Sequence, residues 1–412
     1  MTQPQILIVG GGMITHDQIL PAVFAMQRRG EVGRVLVCAQ HGRTVANLAT
    51  APAIVNAFPD QSFEAYPGPA DGSEAHPKLF KSVIAQLPER QIVIVALPDQ
   101  LHFEAVMTAL KHDQHVICVK PLVLTARESV EIENEARSRG LLCVIEYHKR
   151  FDDRAHKARR FFRDGLFGEF KLGSARLMEK WYYRNSNFQN WFTKQNSDAF
   201  TYIGCHYVDL VHFITGLLPV AVSSYGIVDK FPNGNEGYLW CDTRVIWENG
   251  AALNLQTSLS YPNQGAGPNT QGLTLYCSGS GEGALIDHSD QYRGLAYSFG
   301  TKPPGEGATF YAEPSPDYFQ YNDLGGPGLE PVGYGVRSVE FMIRAAKRME
   351  AECPDLATRQ ARLLEIDATG VLATPANSRY NELVVEAGRM SILNGGRQVN
   401  ISYLPTPRVQ LS

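Results

Sequence analysis

Short apolar runs alternate with longer amphipathic stretches over the first third of the chain. Residues 5–9, 34–39, 91–96, 115–119 and 141–147 are almost continuously apolar. Between them, residues from 44 onward, 78–87, 101–112 and 125–139 carry apolar side chains at helical spacing. Strands that are apolar throughout are buried on both faces, so this alternation predicts a doubly wound parallel sheet. After Tyr147 the period changes. Residues 153–164 read as a basic helix, 168–183 include a strand, and 202–215 form a helix ended by Gly216. Residues 220–228, 238–247, 251–260 and 272–277 then alternate apolar and polar positions between Gly, Pro and Asn turns. That pattern predicts a large antiparallel or mixed sheet with one open face. Residues 300–335 are rich in Gly, Pro and Tyr and read as a long ordered loop, while 336–352, 359–371 and 379–393 return to helical spacing.

Composition narrows the picture. A chain of 412 residues exceeds one ordinary core. The expected division is residues 1–150 and 151–412, with the final helices packing back on the first domain. A net charge of −4 without a basic stripe excludes nucleic acid and membrane surfaces as expected partners. The apolar run near the N-terminus covers only residues 6–9, so neither a signal peptide nor a membrane span is expected. Seven separated cysteines without a CxxC pair indicate neither a disulfide framework nor zinc, and a cytoplasmic location is expected. His102, His112 and His115 fall on different elements without carboxylates at useful spacing, so no metal site is predicted.

Two stretches carry candidate chemistry. Gly10-Gly-Gly-Met-Ile-Thr15 follows the first strand and opens a helix. There Gly10 permits a tight turn, Gly12 lets backbone approach a pyrophosphate, and Met13 and Ile14 begin a helix whose N–H groups face the phosphates. Thr15 stands where this fingerprint usually has Gly or Ala. The second strand ends in Ala39-Gln-His-Gly-Arg43, without the acidic residue that commonly binds ribose hydroxyls. Gln40 can bond a hydroxyl, and His41 and Arg43 can face a 2′-phosphate, so NAD and NADP both stay open. Lys120 ends the apolar strand 115–119 and is followed by Pro121, which fixes its own φ and stops the strand. A lysine there either snorkels to solvent or points into the crevice where parallel sheets bind ligands.

The chain resembles the glucose–fructose oxidoreductase/inositol dehydrogenase (Gfo/Idh/MocA) family, in motifs that run in order through it. They are Gly10-x-Gly12, Leu97-Pro-Asp-Gln-Leu-His102, Lys120-Pro121, Tyr147-His-Lys-Arg-Phe-Asp152, Gly204-Cys-His-Tyr-Val-Asp209 and Gly396-Arg-Gln-Val399. The resemblance implies a Rossmann domain followed by an α+β domain with a large mixed sheet. It implies a nicotinamide cofactor, NAD ahead of NADP, held by the glycine loop with Leu97, Pro98, His102 and Lys120. It also implies that the helix bearing His206 faces the nicotinamide, and that the open sheet face builds a homodimer or homotetramer. Two departures stand out. The family usually writes Glu-Lys-Pro, and here Val119 replaces the glutamate. Where it often has Asp four residues before the histidine, this chain has Tyr202.

These residues outline a hydride-transfer site. Oxidising a secondary hydroxyl requires a base that is uncharged when it takes the proton, and burial beside a cation favours the uncharged amine of a lysine. Lys120 is therefore the candidate base. Tyr202, His206 and Asp209 fall on one face of one helix, with His206 bonding the reacting hydroxyl and Asp209 or Tyr202 orienting the ring. The alternative for His206 is a packed helix histidine. His148, Arg150, Trp181, Arg184, Trp191 and Lys194, together with His206, are candidate substrate contacts, because aromatic faces stack on sugars and cations bind anionic substituents. The expected function is NAD(P)-dependent oxidoreduction of a sugar, cyclitol or sugar derivative, anionic ones included. The alternative is an NAD-dependent glycoside hydrolase that oxidises C3 transiently, eliminates and re-reduces.

Overall fold

The computed structural model describes residues 3–265, 267–289, 297–300, 303, 309–312 and 317–412. The chain divides into two units. The first holds residues 1–123, 127–151 and 319–379, and the second holds 124–126, 152–318 and 380–412.

The first unit is built on six parallel strands: β1 (Ile6–Val9), β2 (Val35–Cys38), β3 (Glu64–Tyr66), β4 (Ile92–Val95), β5 (His115–Val119) and β6 (Cys143–Glu146). Their order is β3-β2-β1-β4-β5-β6, so the direction of winding reverses at β1. A crevice opens at the carboxyl ends of strands wherever the order reverses in this way. Helices α1 (Leu20–Arg28), α2 (Gly42–Ala49), α3 (Pro52–Ala57), α4 (Leu79–Ala85), α5 (His102–Lys111) and α6 (Ala126–Arg139) make the connections. Every residue of β1, β2, β4, β5 and β6 is buried, which explains why these strands read as unbroken apolar runs. The sequence pattern passed over β3 because this edge strand is three residues long and partly exposed.

The second unit begins with α7 (Asp153–Arg163) and β7 (Phe170–Lys180), followed by α8 (Phe188–Trp191) and α9 (Cys205–Thr215). A meander of β8 (Pro219–Lys230), β9 (Glu236–Trp247) and β10 (Ala252–Tyr261) comes next, then β11 (Asn269–Cys277) and β12 (Ala284–Ser289). The pairs β8–β9, β9–β10, β7–β11 and β11–β12 are antiparallel, as alternation predicts, but β7 and β10 are parallel. The parallel junction arises because the chain leaves β7 through α8 and α9, and a crossover of that kind returns a strand in the same direction. Strands β13 (Tyr297–Gly300) and β14 (Thr309–Ala312) pair with each other.

Strands β15 (Gln320–Asn322) and β16 (Glu330–Val332) form a hairpin, so the expected loop at 300–335 contains strand structure, and part of it lies outside the described residues. With α10 (Tyr334–Glu352) and α11 (Leu356–Thr369) the hairpin belongs to the first unit, whereas α12 (Arg379–Leu393), β17 (Val399–Ser402) and β18 (Arg408–Leu411) complete the second. The second sheet then runs β12-β11-β7-β10-β9-β8-β17-β18. Phe200 wedges between the turn before α9 and α12. A Cβ on Gly204 would lie 2.5 Å from its ring and one on Gly388 2.4 Å away, so both positions need glycine. Among the described residues, no helix is long and apolar enough to cross a membrane.

Candidate functional site

The loop after β1 is shaped by its first glycine. Gly10 has φ +118°, and a Cβ there would sit 2.0 Å from the carbonyl oxygen of Ala96 at the end of β4. Gly12 is different: a Cβ built on it meets nothing within 4 Å. Met13 and Ile14 open the helix, which winds as a π-helical turn over Thr15–Ile19 before continuing as α1. Thr15 is fully buried and its hydroxyl donates to the Gly10 carbonyl at 2.7 Å. Threonine in place of the usual small residue therefore clasps the loop it belongs to. Open space at Gly12, beside a helix N-terminus rich in N–H donors, fits a dinucleotide pyrophosphate.

At the end of β2, Gln40 and Arg43 are exposed. Neither side chain has a hydrogen-bond partner among the described residues. His41 is differently placed. Its Nδ1 lies 3.1 Å from the carbonyls of both Ser73 and Glu74, and the Arg43 N–H donates to Gly72 O at 2.7 Å. The segment after β3, which carries Asp71 and Glu74, thus folds back over the start of α2.

Lys120 is half-buried at the carboxyl end of β5, and its bond to Pro121 is cis. His102, fully buried, sets the height of this turn. One ring nitrogen lies 2.7 Å from Pro121 O and the other 2.8 Å from Leu97 O, which ties the Leu97-Pro98 loop to the Lys120-Pro121 turn. Arg150 is also buried, with its guanidinium near the Tyr147 ring and Gly370 O.

One group at this edge escaped the sequence analysis. Glu146 ends β6 and is 2% exposed. It is in register with Val119 across the β5–β6 pair, so the neighbouring strand supplies a carboxylate beside the position where the Lys-Pro motif lacks one. Gln18 donates to it at 2.8 Å, Ser338 lies 2.6 Å away, and His148 Nδ1 lies 3.2 Å away. The signal was present in the sequence: a lone charged residue closing an apolar strand, as at Lys120.

In the second unit, a π-helical turn over Phe200–Gly204 leads directly into α9. Asp198 caps it, accepting from the Thr201 N–H at 2.7 Å and its hydroxyl at 3.0 Å, and burial pushes the Asp198 carboxyl above its usual range. Such turns recur at functional sites, and here one carries Tyr202 just ahead of His206. His206 and Asp209 are both buried, at 7% and 1% exposure. The Tyr380 hydroxyl donates to Asp209 at 2.8 Å, which fastens α9 to α12. Tyr202 joins Phe188, Trp191 and Phe192 in an aromatic cluster with centroids 5.0–5.8 Å apart. Arg184 lies 3.8 Å above the Trp181 ring, 5.2 Å from Trp240, and pairs with Asp229 at 2.6 Å. Its guanidinium is thus held between the two tryptophans and Asp229, and it also donates to Leu259 O at 2.7 Å. Lys194 pairs with Glu236 at 2.6 Å on the surface. Asp152 caps α7 with His288 and Arg154 as partners. Burial works to raise its carboxyl, but those hydrogen bonds hold it well below the usual range.

Comparison with known proteins agrees with this geometry. A family model described as "Oxidoreductase family, NAD-binding Rossmann fold" matches residues 5–147, and the GFO/IDH/MocA C-terminal domain model matches 155–280. The chain is 28% identical over 134 residues to 2,7-anhydro-N-acetylneuraminate hydratase of Escherichia coli, covering 32% of this chain and 36% of that protein. It is 28% identical over 130 residues to D-glucoside 3-dehydrogenase of Escherichia coli, covering 30% and 36%. The chain thus spans about a third of the length of these curated relatives. The fold matches scyllo-inositol dehydrogenase from Lactobacillus casei, solved with NAD(H) and scyllo-inositol. That match has a TM-score of 0.62 at 14% identity and covers 97% of this chain and 99% of that one. With both domain models matched in order over well over half its length, the chain belongs to the Gfo/Idh/MocA oxidoreductase family.

Proposed function

We propose that the protein transfers a hydride between NAD and a secondary hydroxyl or carbonyl of a sugar, cyclitol or sugar derivative. The observation that carries this reading is the convergence, at one end of one parallel sheet, of the glycine-loop cradle and Lys120. When bound, the nicotinamide ring accepts or returns the hydride. Lys120 takes the hydroxyl proton as hydride leaves and gives it back in reverse. His206 bonds the reacting oxygen, with Asp209 and Tyr202 steadying its helix, and Trp181, Trp191, Arg184, Lys194, Arg150 and His148 shape the surface for the rest of the substrate. NAD is favoured over NADP, because Asp71 and Glu74 lie in the segment folded over the end of β2, where a 2′-phosphate would meet like charge. Seven buried, well-separated cysteines support a reducing cytoplasm as the location.

The test is mass spectrometry of the gently denatured protein for NAD or NADP, followed by reduced-nicotinamide absorbance with a panel of sugars and cyclitols. Continuous NADH formation is expected with one sugar class. The Lys120→Met variant should retain the dinucleotide and lose roughly 10²–10⁴-fold in kcat, the range of general-base catalysis. A variant that turns over at the parent rate would rule Lys120 out as the base. Similarity to a protein named as a hydratase supports a second, redox-neutral reading. On that reading the purified protein carries tightly held NAD, gives at most one burst of absorbance, and cleaves a glycoside without net NADH.

A further inference from the structure

The carboxyl ends of the first sheet hold the glycine loop and Lys120, but a separate cavity of about 650 Å³ borders its amino ends. The segments leading into β1 and β4, His115 at the start of β5, and the last turns of α10 enclose it, all within the first unit. Pockets for small molecules have volumes of roughly 300–1,000 Å³. Pro4, Pro88, Ala346 and Ala351 give this one apolar walls.

The charged groups around the cavity are unevenly engaged. Arg359 grips both oxygens of Glu350, one of them at 3.0 Å, and His115 Nε2 lies 2.8 Å from Oε1. Burial works to raise the Glu350 carboxyl, but these bonds hold it at about 2. Arg90 is less well held. Its guanidinium lies 3.7 Å from Glu350, its Nη1 is buried without a hydrogen-bond partner, and none of its N–H groups donates to a described residue. The side chain nevertheless keeps 30% exposure. Lys347 adds a second cation to the wall, with one of its three N–H donors on the Glu31 carbonyl. Glu89 is exposed at the rim. Arg90 also sits where its backbone favours glycine. Its φ is +64°, and its N–H donates at 2.8 Å to the carbonyl of Asp113, whose φ is +56°. Among the described residues these two are the non-glycine residues with positive φ, and they meet at this one turn. Backbone strain of this kind collects at ligand sites.

We propose that this cavity is a second ligand site, separate from the dinucleotide crevice, and that it binds a small carboxylate with an apolar body. The carboxylate pairs with the Arg90 guanidinium, whose planar fork matches it in two hydrogen bonds. The apolar body lies against the proline and alanine walls. An arginine that served only to balance Glu350 would be hydrogen-bonded to it, and would not repay a strained backbone. The inference stands apart from the hydride-transfer reading and holds or fails without it.

The test is calorimetric titration of the full chain with 4-hydroxybenzoate as probe and 4-hydroxybenzyl alcohol as its neutral counterpart, with and without saturating NAD. Saturable binding of the carboxylate is expected, unchanged by NAD, with the alcohol at least about tenfold weaker for want of a charge-assisted pair. Arg90→Gly should weaken the carboxylate at least about tenfold and melt no lower than the parent, because glycine relieves the strained turn. Ala351→Trp, at an exposed position on the rim, should block binding at an unchanged melting temperature.

A parent protein that shows no saturable binding at millimolar probe overturns the proposal. So does equal binding of the alcohol, or a probe that NAD displaces. An Arg90→Gly protein that binds like the parent also overturns it. So does one that melts well below the parent or fails to fold, because the arginine would then be a structural partner of Glu350. Ala351→Trp reads the cavity independently of the guanidinium, and undiminished binding there would place the probe elsewhere.

Discussion

Two glycines in one loop have opposite environments, and they make separable predictions. A methyl group at Gly10 would collide with the backbone of Ala96, and φ +118° is strained for any residue with a Cβ. Gly10→Ala should therefore lower thermal stability by about 1–3 kcal/mol, as overpacked sites do, and lose dinucleotide binding as a consequence. A methyl at Gly12 meets no protein atom. Gly12→Ala should keep the parent melting temperature in calorimetry yet weaken NAD binding at least about tenfold, a loss of about 1.4 kcal/mol. Equal binding by the Gly12→Ala protein would remove this loop from the cofactor site. At this scale the sequence was legible where a residue type is forced by geometry, as at Gly10, or conspicuous against its neighbours, as at Lys120. Glu146 was no less conspicuous, but its meaning lies in Gln18 and Ser338, whose side chains reach it from far along the chain. His41 and His102 show the converse. Their chemistry qualified them for the cofactor, while the carbonyls around each ring engage them in holding loops.

Among the elements, periodicity located every strand that is buried on both faces and most of the helices. It passed over β3, α3, α8, β12 and the β15–β16 and β17–β18 pairs, all of them short elements. The longest-range pairing in the first unit was also hidden, because α10 follows β6 only after strands β7–β12 of the second unit's sheet. That helix is fastened to the loop after α1 by charge. Arg344 grips the Glu31 carboxylate with two bonds of 2.7 and 2.8 Å, Arg29 adds a third at 2.9 Å, and Lys347 bonds the Glu31 carbonyl. The Arg344 hydrogen bonds, with help from Arg29 and against a smaller opposing effect of burial, hold the Glu31 carboxyl at about 2. A carboxyl depressed from its ordinary 4.5 stabilises the fold fully above pH 4.5, and that contribution is lost as the pH falls toward 2. Glu31→Gln should therefore melt lower than the parent at pH 7, by about 1–2 kcal/mol once solvent screening is allowed for. The two melting curves should converge between pH 4.5 and 2. A difference that persists unchanged at pH 2 would mean that the glutamine disturbs packing and that the ion pair is not the source.

For the whole molecule, the division into an α/β unit and a sheet-based unit followed from the change of period at Tyr147, and the open face of the second sheet followed from strict alternation. What covers that face is a question of surface chemistry. On one row across three strands, Leu172 of β7 stands in register with Tyr276 of β11, and Tyr276 with Leu285 of β12. All three are about half exposed, at 49%, 53% and 53%. Tyr225 and Ile227 of β8 are exposed to a similar degree. Between these two apolar strips lie Asp242 and Arg244 of β9 with Asn254 and Gln256 of β10, all exposed. An apolar row of this kind gains from burial against another protein surface. Two apolar strips flanking a polar centre also suit a two-fold contact, in which each strip of one copy meets a strip of the other and opposite charges face across the axis. The protein should therefore sediment as a dimer or tetramer at micromolar concentration. Tyr276→Lys sets a charge in the middle of the row without touching the buried face of β11, so it should shift sedimentation toward the monomer and leave the far-ultraviolet circular dichroism unchanged. If the variant keeps the parent's oligomeric state, the contact lies on another surface. If the parent is already a monomer, this face serves a partner of a different kind or stays in water.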